Sequence, residues 1–404
     1  MKLPIPAPLR GAEADTFTHY TITTRFPNIA RRVVAENDFP PQVVANLHSL
    51  INDIPHARIR PLNDPHAPDT ADWEAYIAPY RRQNWLEAPW FFVETYFYRR
   101  ILEASGYFVF GEMYDLDPYA KQKQLGLKNS AKATAALSRQ VDVWLKRPAH
   151  RREALNALLI ADLWGNQADL SMWLDADQEQ PSHANEAQAQ AHILVNQTAD
   201  VTAYLLSLTA KKKKPRVAFL VDNAGFELAG DLALSDFLLS SGIAASVSFH
   251  LKPHPTFVSD ATVKDVRQTL NDLTAAENTA VRAMGNRLQA QLSRARLCLL
   301  EDWFWTSPLP MWEMPASLRA QLGKADLLIS KGDANYRRLL GDRHWPFTTP
   351  FEEIVSYLPA PLLALRTSKS EVMSGLKAGQ IADLDKNDPD WLANGKWGVV
   401  QFAP

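Results

Sequence analysis

The stretch RVAFLVDNAGFE, residues 216–227, decides the fold. Val217 to Val221 form a short apolar run, preceded by the lysine run Lys211 to Lys214 and closed by Asp222, Asn223, Ala224 and Gly225. A run this short and this continuously apolar reads as a strand covered on both faces, and the helical spacing that begins near Leu228 reads as the helix leaving it. The texture recurs in SVSFHL (246–251), ARLCLLE (295–301), DLLIS (326–330), LLALR (362–366) and WGVVQF (397–402), with helical patterns such as Val263, Val266, Leu270 and Leu273 between several of them. Apolar strands alternating with helices predict the α/β class, a three-layer α/β/α sandwich around a largely parallel sheet.

Working back from residue 216, the texture changes. Trp90, Val93, Phe97 and Ile101 share one helix face, as do Leu137, Val141, Trp144 and Leu145, and again Leu155, Leu158 and Leu159. The aromatic density between Trp85 and Tyr98 reads as helix packing, because no basic stripe accompanies it. The division expected is an all-helical N-terminal domain, residues 1–150, and an α/β/α domain, residues 151–404.

Composition narrows the function. The 404 residues are 46% hydrophobic and 22% charged, which excludes disordered, collagen-like and fibrous chains. Lys plus Arg number 43 against 45 acidic residues, so nothing points to nucleic acid or an anionic membrane as partner. A single cysteine, Cys298, excludes a disulfide framework or a multi-cysteine metal site, and within its apolar run it reads as a buried, inert thiol. The longest apolar candidate, residues 237–249, is about half of the ~20 residues a membrane helix needs. The prolines and early aspartate of MKLPIPAPLRGAEADTF interrupt any signal-peptide core, so a cytoplasmic protein is expected.

In a parallel sheet, ligands bind beyond the carboxyl ends of the strands. The first run ends in Asp222 and Asn223. The second leads through Lys252, Pro253, His254 and Pro255 to Ser259 and Asp260, which open the helix carrying Val263 and Val266. DLLIS ends in Lys331-Gly332-Asp333-Ala334-Asn335-Tyr336-Arg337-Arg338, and LLALR in Thr367-Ser368-Lys369. Acidic groups at two strand ends and basic groups at two others are what a divalent cation beside a phosphate requires. Asp222, Asn223 and Asp260 are hard oxygen donors of the kind Mg²⁺ and Mn²⁺ prefer, though each residue type also suits a turn or a helix cap. Gly332 would let backbone approach a ligand and open a helix whose free N–H groups face an anion. Lys331 and Arg337 would add charge, while Asp333 and Asn335 could bond hydroxyls; an ordinary charged helix start is the alternative. Ser368-Lys369-Ser370-Glu371 has the capping-box pattern, which accounts for its serine and glutamate but not for Lys369. The phosphate-loop, dinucleotide, zincin and nucleophile-elbow motifs are absent, and Pro253 prevents one helix face from presenting both His250 and His254.

The blocks Asp222 to Glu227 (DNAGFE), Phe257 to Asp260 (FVSD) and Lys331 to Arg337 (KGDANYR) resemble the signatures of the metal-dependent damage-control phosphatases, in the acidic-residue-methyltransferase-like branch. WFFVETYFYRR (90–100), WGNQADLS (164–171) and LRTSKSEVMSGL (365–376) support the likeness, and the blocks run in family order from about residue 20 to the end. Ala224 and Ala334 stand where serine and leucine are expected, neither at a ligand position. The resemblance implies Mn²⁺, or Mg²⁺, Co²⁺ or Ni²⁺, held by Asp222, Asn223 and Asp260 as the catalytic centre. It implies substrate contacts from Asp333, Asn335, Tyr336, Arg337 and Lys369, with Glu227 beside the site and Asn166 and Asp169 as further candidates. The implied partner is a small phosphorylated metabolite, a sugar phosphate such as fructose 1-phosphate, hydrolysed in metabolite damage control. Metal-bound water and the Asp222 carboxylate are both open as nucleophile. Two other functions are expected to compete. One is S-adenosylmethionine-dependent carboxyl methylation of proteins, for which no glycine-rich loop follows a strand; the other is a non-catalytic sugar-phosphate sensor.

Overall fold

Alternate side chains of a strand point to opposite faces of its sheet, and this period-two rule separates two cores here. A computed structural model of the chain describes residues 3–165, 190–211 and 213–404. The strands among them are β1 (Ile193–Asn196), β2 (Arg216–Leu220), β3 (Ser246–Leu251), β4 (Leu297–Glu301), β5 (Leu327–Lys331), β6 (Leu362–Thr367) and β7 (Gly398–Ala403). They form one sheet in the order β1-β7-β6-β5-β2-β3-β4, and all neighbours run parallel except β6 and β7.

From β2, Ala218 and Leu220 enter one core while Val217 and Phe219 enter the other; Leu362 and Ala364 of β6 likewise oppose Leu363 and Leu365. The first core is completed by helices Phe26–Glu36, Pro41–Asp53, Trp90–Ser105 and Gly332–Leu340. The second takes helices Ala131–Leu145, Arg151–Leu163, Phe226–Ser240, Val263–Ala275 and Thr279–Ser293. The result is the expected α/β/α sandwich, and every regular element described before β1 is helical. The six apolar runs are β2 to β7. β1 and the antiparallel direction of β7 were not anticipated. Cys298 lies on edge strand β4 and is half-buried rather than fully enclosed.

Helix Trp90–Ser105 is buried around its whole circumference except at Glu103, so its aromatic residues are core. Its charged side chains are paired: Arg99 with Asp64 and Asp69, Arg100 with Asp53 and Glu103, Glu94 with Arg337. Among the described residues no helix is long and apolar enough to cross a membrane.

From β2 the chain lays β3 and β4 to one side, then crosses back to lay β5 and β6 on the other. Beyond the ends of β2 and β5 the connections therefore diverge, and a crevice opens between them.

Candidate active site

Asp222 follows β2, and Asp260 lies in the loop that follows β3. The two segments are laced by backbone: Ala261 donates to the Asp222 carbonyl at 2.8 Å, Ala224 to the Ser259 carbonyl at 2.7 Å, and Asn223 and Asp260 pair as an isolated antiparallel bridge. None of the three donors caps a helix. Gly225, at φ 75°, occupies the cap of Phe226–Ser240 without a side-chain bond. Thr262 caps Val263–Ala275 in a reciprocal box with Asp265, so Asp260 precedes the helix instead of opening it. The loop carries consecutive left-handed residues, Phe257 (φ 47°) and Val258 (φ 67°), a conformation that persists only where surroundings enforce it. The enforcing contacts come from helix Trp90–Ser105, whose Phe91 and Tyr98 rings lie 6.2 and 5.0 Å from the Phe257 ring.

The Asn223 amide has one orientation. Nδ2 donates to Asp222 Oδ2 at 2.8 Å and to Glu227 Oε2 at 2.7 Å, while Oδ1 accepts from the Ser259 hydroxyl. Asp222 Oδ1 and Asp260 Oδ2 are buried and accept no hydrogen bond. Lys252 supplies the nearest cation, with Nζ 3.1 Å from Asp260 Oδ2, 3.8 Å from Asp222 Oδ1 and 2.6 Å from the Val221 carbonyl. Burial first, and the Asp260 charge second, push the Asp222 carboxyl well above the usual carboxylate range. Burial also raises Asp260, against the pull of Lys252. Two buried carboxylates sharing one ammonium, with an adjacent amide oxygen, fit a hard divalent cation, which would supply the missing positive charge. Among the described residues no three His, Cys, Asp or Glu side chains form a metal-binding group. A cation held here would take two carboxylates and one amide oxygen from the protein, its other positions being open to water or substrate.

Lys252 was missed by sequence reasoning, although it directly follows β3 and the strand-end rule reaches it. Arg366, on β6, was missed too. Its Nε donates to Asp333 Oδ1 at 2.7 Å, and its other nitrogens bind the Val372 and Ser370 carbonyls and the Ser370 hydroxyl. Asp333 Oδ1 also takes the Lys369 N–H and the Ser370 hydroxyl, which ties the end of β5 to the loop bearing Lys369. No helix starts at Ser370. Glu371, read as a capping residue there, instead receives the backbone N–H groups of Phe17 and Thr18.

The expected substrate residues divide by what already holds them. Asp333 Oδ2, Asn335 Oδ1 and the Lys369 ammonium take no hydrogen bond from the described residues, and Lys369 lies close enough to favour the Asp222 carboxylate. Asn335 Nδ2 donates to the carbonyls of Leu220, Val221 and Lys331, locking β2 to β5 at the crevice. The Tyr336 hydroxyl is 2.8 Å from Gln401 Oε1 and 3.2 Å from Ser374 Oγ. Arg337 turns toward the helical region, paired with Glu94 and Asp342 and lying 3.6 Å from the Trp90 ring centroid. Lys331 is enclosed by Asp162, Asp231 and Glu227. Asn166 and Asp169 lie outside the described residues.

Gly332 brings the helix start against the donors. Its φ is +76°, and a Cβ there would fall 1.8 Å from Asp222 Oδ2, so only glycine lets Gly332–Leu340 begin here. Beside the donors a cavity of about 490 Å³ opens, lined by Asn223 to Glu227, Val258, Ser259 and Lys123. Its size suits a small metabolite.

The chain belongs to the damage-control phosphatases, since residues 21–384 match the family described as the damage-control phosphatase ARMT1-like domain. It is 33% identical to damage-control phosphatase ARMT1 of Rattus norvegicus over 98% of both chains, and 32% identical to that of Danio rerio over 98% of this chain and 97% of the relative. The Homo sapiens protein of that name is 29% identical, with 98% of each chain covered. A crystal structure of a DUF89 family protein from Pyrococcus horikoshii aligns with a TM-score of 0.49 and 13% identity, covering 95% of this chain and 98% of that one.

Proposed function

We propose that this phosphatase depends on a divalent cation, with Mn²⁺ first among Mn²⁺, Mg²⁺, Co²⁺ and Ni²⁺, and that it hydrolyses small phosphate monoesters of the sugar-phosphate class. The observation that carries this reading is the pair of buried oxygens, Asp222 Oδ1 and Asp260 Oδ2, with only the Lys252 ammonium set against them, beside the Gly332 helix start. Asp222, Asp260 and Asn223 Oδ1 would hold the cation, which supplies Lewis acidity toward a phosphoryl oxygen and a lowered pKa for bound water. The free N–H groups at the start of Gly332–Leu340 and the Lys369 ammonium face the charge that develops on the phosphoryl oxygens. Asp333 Oδ2 and Asn335 Oδ1 are acceptors suited to the hydroxyls of a sugar. Arg366 holds Asp333 in place, and the helix-to-loop ring contacts at Phe257 keep the Asp260 loop in its left-handed turn.

The direct test is phosphate release from a panel of sugar phosphates, after EDTA stripping and return of each metal. Release that vanishes with EDTA and returns with metal supports the reading. Unchanged release in EDTA, or none with any metal in a folded protein, overturns it. Lys369→Ala is expected to raise KM for a phosphorylated substrate about tenfold, the loss of one charge-assisted contact, with a smaller change in kcat. An unchanged KM removes Lys369 from the phosphate subsite.

A further inference from the structure

Behind Asn223 lies a second cluster, joined to the proposed donors through Glu227. Lys331, the last residue of β5, is 1% exposed. Its ammonium donates to the Asp162 carbonyl at 2.8 Å and to Asp162 Oδ1 at 2.7 Å, and lies 3.1 Å from Asp231 Oδ1 and 3.8 Å from Glu227 Oε1. Asp162 belongs to helix Arg151–Leu163; Glu227 and Asp231, four residues apart, share one face of Phe226–Ser240. Glycine makes the approach possible, because a Cβ on Gly230 would come 2.9 Å from Asp162 Oδ1.

Three carboxylates on one ammonium is an excess of negative charge in a dry interior. Asp162 Oδ2 and both Asp231 oxygens accept no hydrogen bond. Burial, then the neighbouring carboxylates, raise Asp231 well above the ordinary carboxylate range, against the pull of Lys331. Such a cluster is a poor device for stability, since buried ion groups are often replaced by apolar residues without loss. Its geometry leads elsewhere. Glu227 Oε1 faces Lys331, and Glu227 Oε2 takes one of the two hydrogen bonds given by Asn223 Nδ2, the other going to Asp222 Oδ2, so it helps to set which way round the amide stands. Were the amide reversed, an N–H would stand where the oxygen donor is needed.

We propose that Lys331, held by Asp162 and Asp231, is a positioning residue: it fixes Glu227, which in turn fixes the Asn223 amide with Oδ1 as the cation donor. This extends the metal-dependent reading and rests on it. Partners in the shell outside a metal's ligands are typically worth 10–100-fold in affinity. The test is Mn²⁺ binding without substrate, followed by calorimetry and by the Mn²⁺ electron paramagnetic resonance signal, on wild type, Asp231→Asn, Lys331→Met and Asp222→Ala. Wild type binds and Asp222→Ala does not. Asp231→Asn keeps its volume and the metal-free unfolding midpoint to within a few degrees, yet weakens Mn²⁺ about tenfold; Lys331→Met weakens it more. Should Lys331→Met fail to fold, Asp231→Asn decides. Wild-type affinity in Asp231→Asn, with Asp222→Ala inactive in binding, overturns the positioning role while sparing the metal reading. Absence of binding by wild type overturns both.

Discussion

Asp222→Ala is expected to lower metal-dependent turnover by about a thousandfold while raising the melting temperature of the metal-free protein. The activity loss follows from its place in the proposed donor set: Asp222 Oδ1 is a buried oxygen that accepts no hydrogen bond, and Oδ2 receives Asn223. Stabilisation of transition-state charge by a bound cation is worth several kcal/mol, and about 4 kcal/mol is roughly a thousandfold in rate. The stability gain follows from the sign of the titration shift. The folded-state pKa of Asp222 lies well above the unfolded value, from burial first and Asp260 second. The folded protein thus binds more protons, and its stability falls as pH rises from the unfolded value toward the folded one. At neutral pH the carboxyl therefore destabilises the metal-free fold, and its removal relieves that strain. Lys252 keeps a partner, because Asp260 stays 3.1 Å away. Adding Mn²⁺ should reverse the ranking, lifting the wild-type midpoint and leaving the variant where it was. Phosphate release and a thermal melt, each with and without Mn²⁺, check both halves. Retained turnover would remove Asp222 from the ligands.

Gly332→Ala should be nearly as damaging, through shape alone. The left-handed backbone makes any side chain unfavourable by about 1–2 kcal/mol. The added methyl would also lie 1.8 Å from Asp222 Oδ2, 2.4 Å from Cγ and 2.8 Å from Cβ. Asp222 cannot retreat, since its own carbonyl is bonded to Ala261 and Asn335 anchors the backbone before it. The helix start must move instead, carrying Asp333 away from Arg366. Turnover should drop at least about a hundredfold, by the sensitivity of catalysis to ångström-scale misplacement. Gly341, at φ 68° on the other end of the same helix, is the control: a Cβ there meets the Trp312 ring, not the site. Gly341→Ala should lose stability, measured by urea unfolding, yet keep the turnover of each folded molecule. Equal kcat losses in the two variants would mean that the effect is global softening and not displacement at Asp222.

The sheet was readable because its inner strands are largely buried on both faces and so leave continuous apolar runs, while edge strand β4, though half-buried, keeps the apolar run Leu297 to Leu300. β1 left no such mark: its four residues are half-buried or exposed, at the edge of the sheet. The antiparallel turn of β7 depends on how the chain returns after helix Ala378–Asn387, which no local pattern records. The strand-end rule pointed to Asp222, Asn223, Asp260, Gly332 and Lys369, which the structure brings to the crevice between β2 and β5 or beside it. It could not reveal how Lys331, Tyr336 and Arg337 would be enclosed, since that depends on Asp162, Asp231, Glu94 and Gln401, far away in sequence. A charged residue after a strand looks alike whether it faces a ligand or a buried partner. Thr262 shows the local limit of the same problem: with Asp260 two residues earlier, either could have capped the helix, and only the box with Asp265 decides.

Helix Trp90–Ser105 also sets a timetable. A nascent chain emits it early, rich in aromatic and aliphatic side chains destined for burial, while Phe257 and Arg337 are still unmade; Glu94 waits for a partner 243 residues downstream. At ribosomal rates of 5–20 residues per second that interval is about 12–50 s. Through that time the helix is a natural client for a chaperone, and the Asp260 loop, braced by its rings, can take its final form only after residues 257–260 have been made.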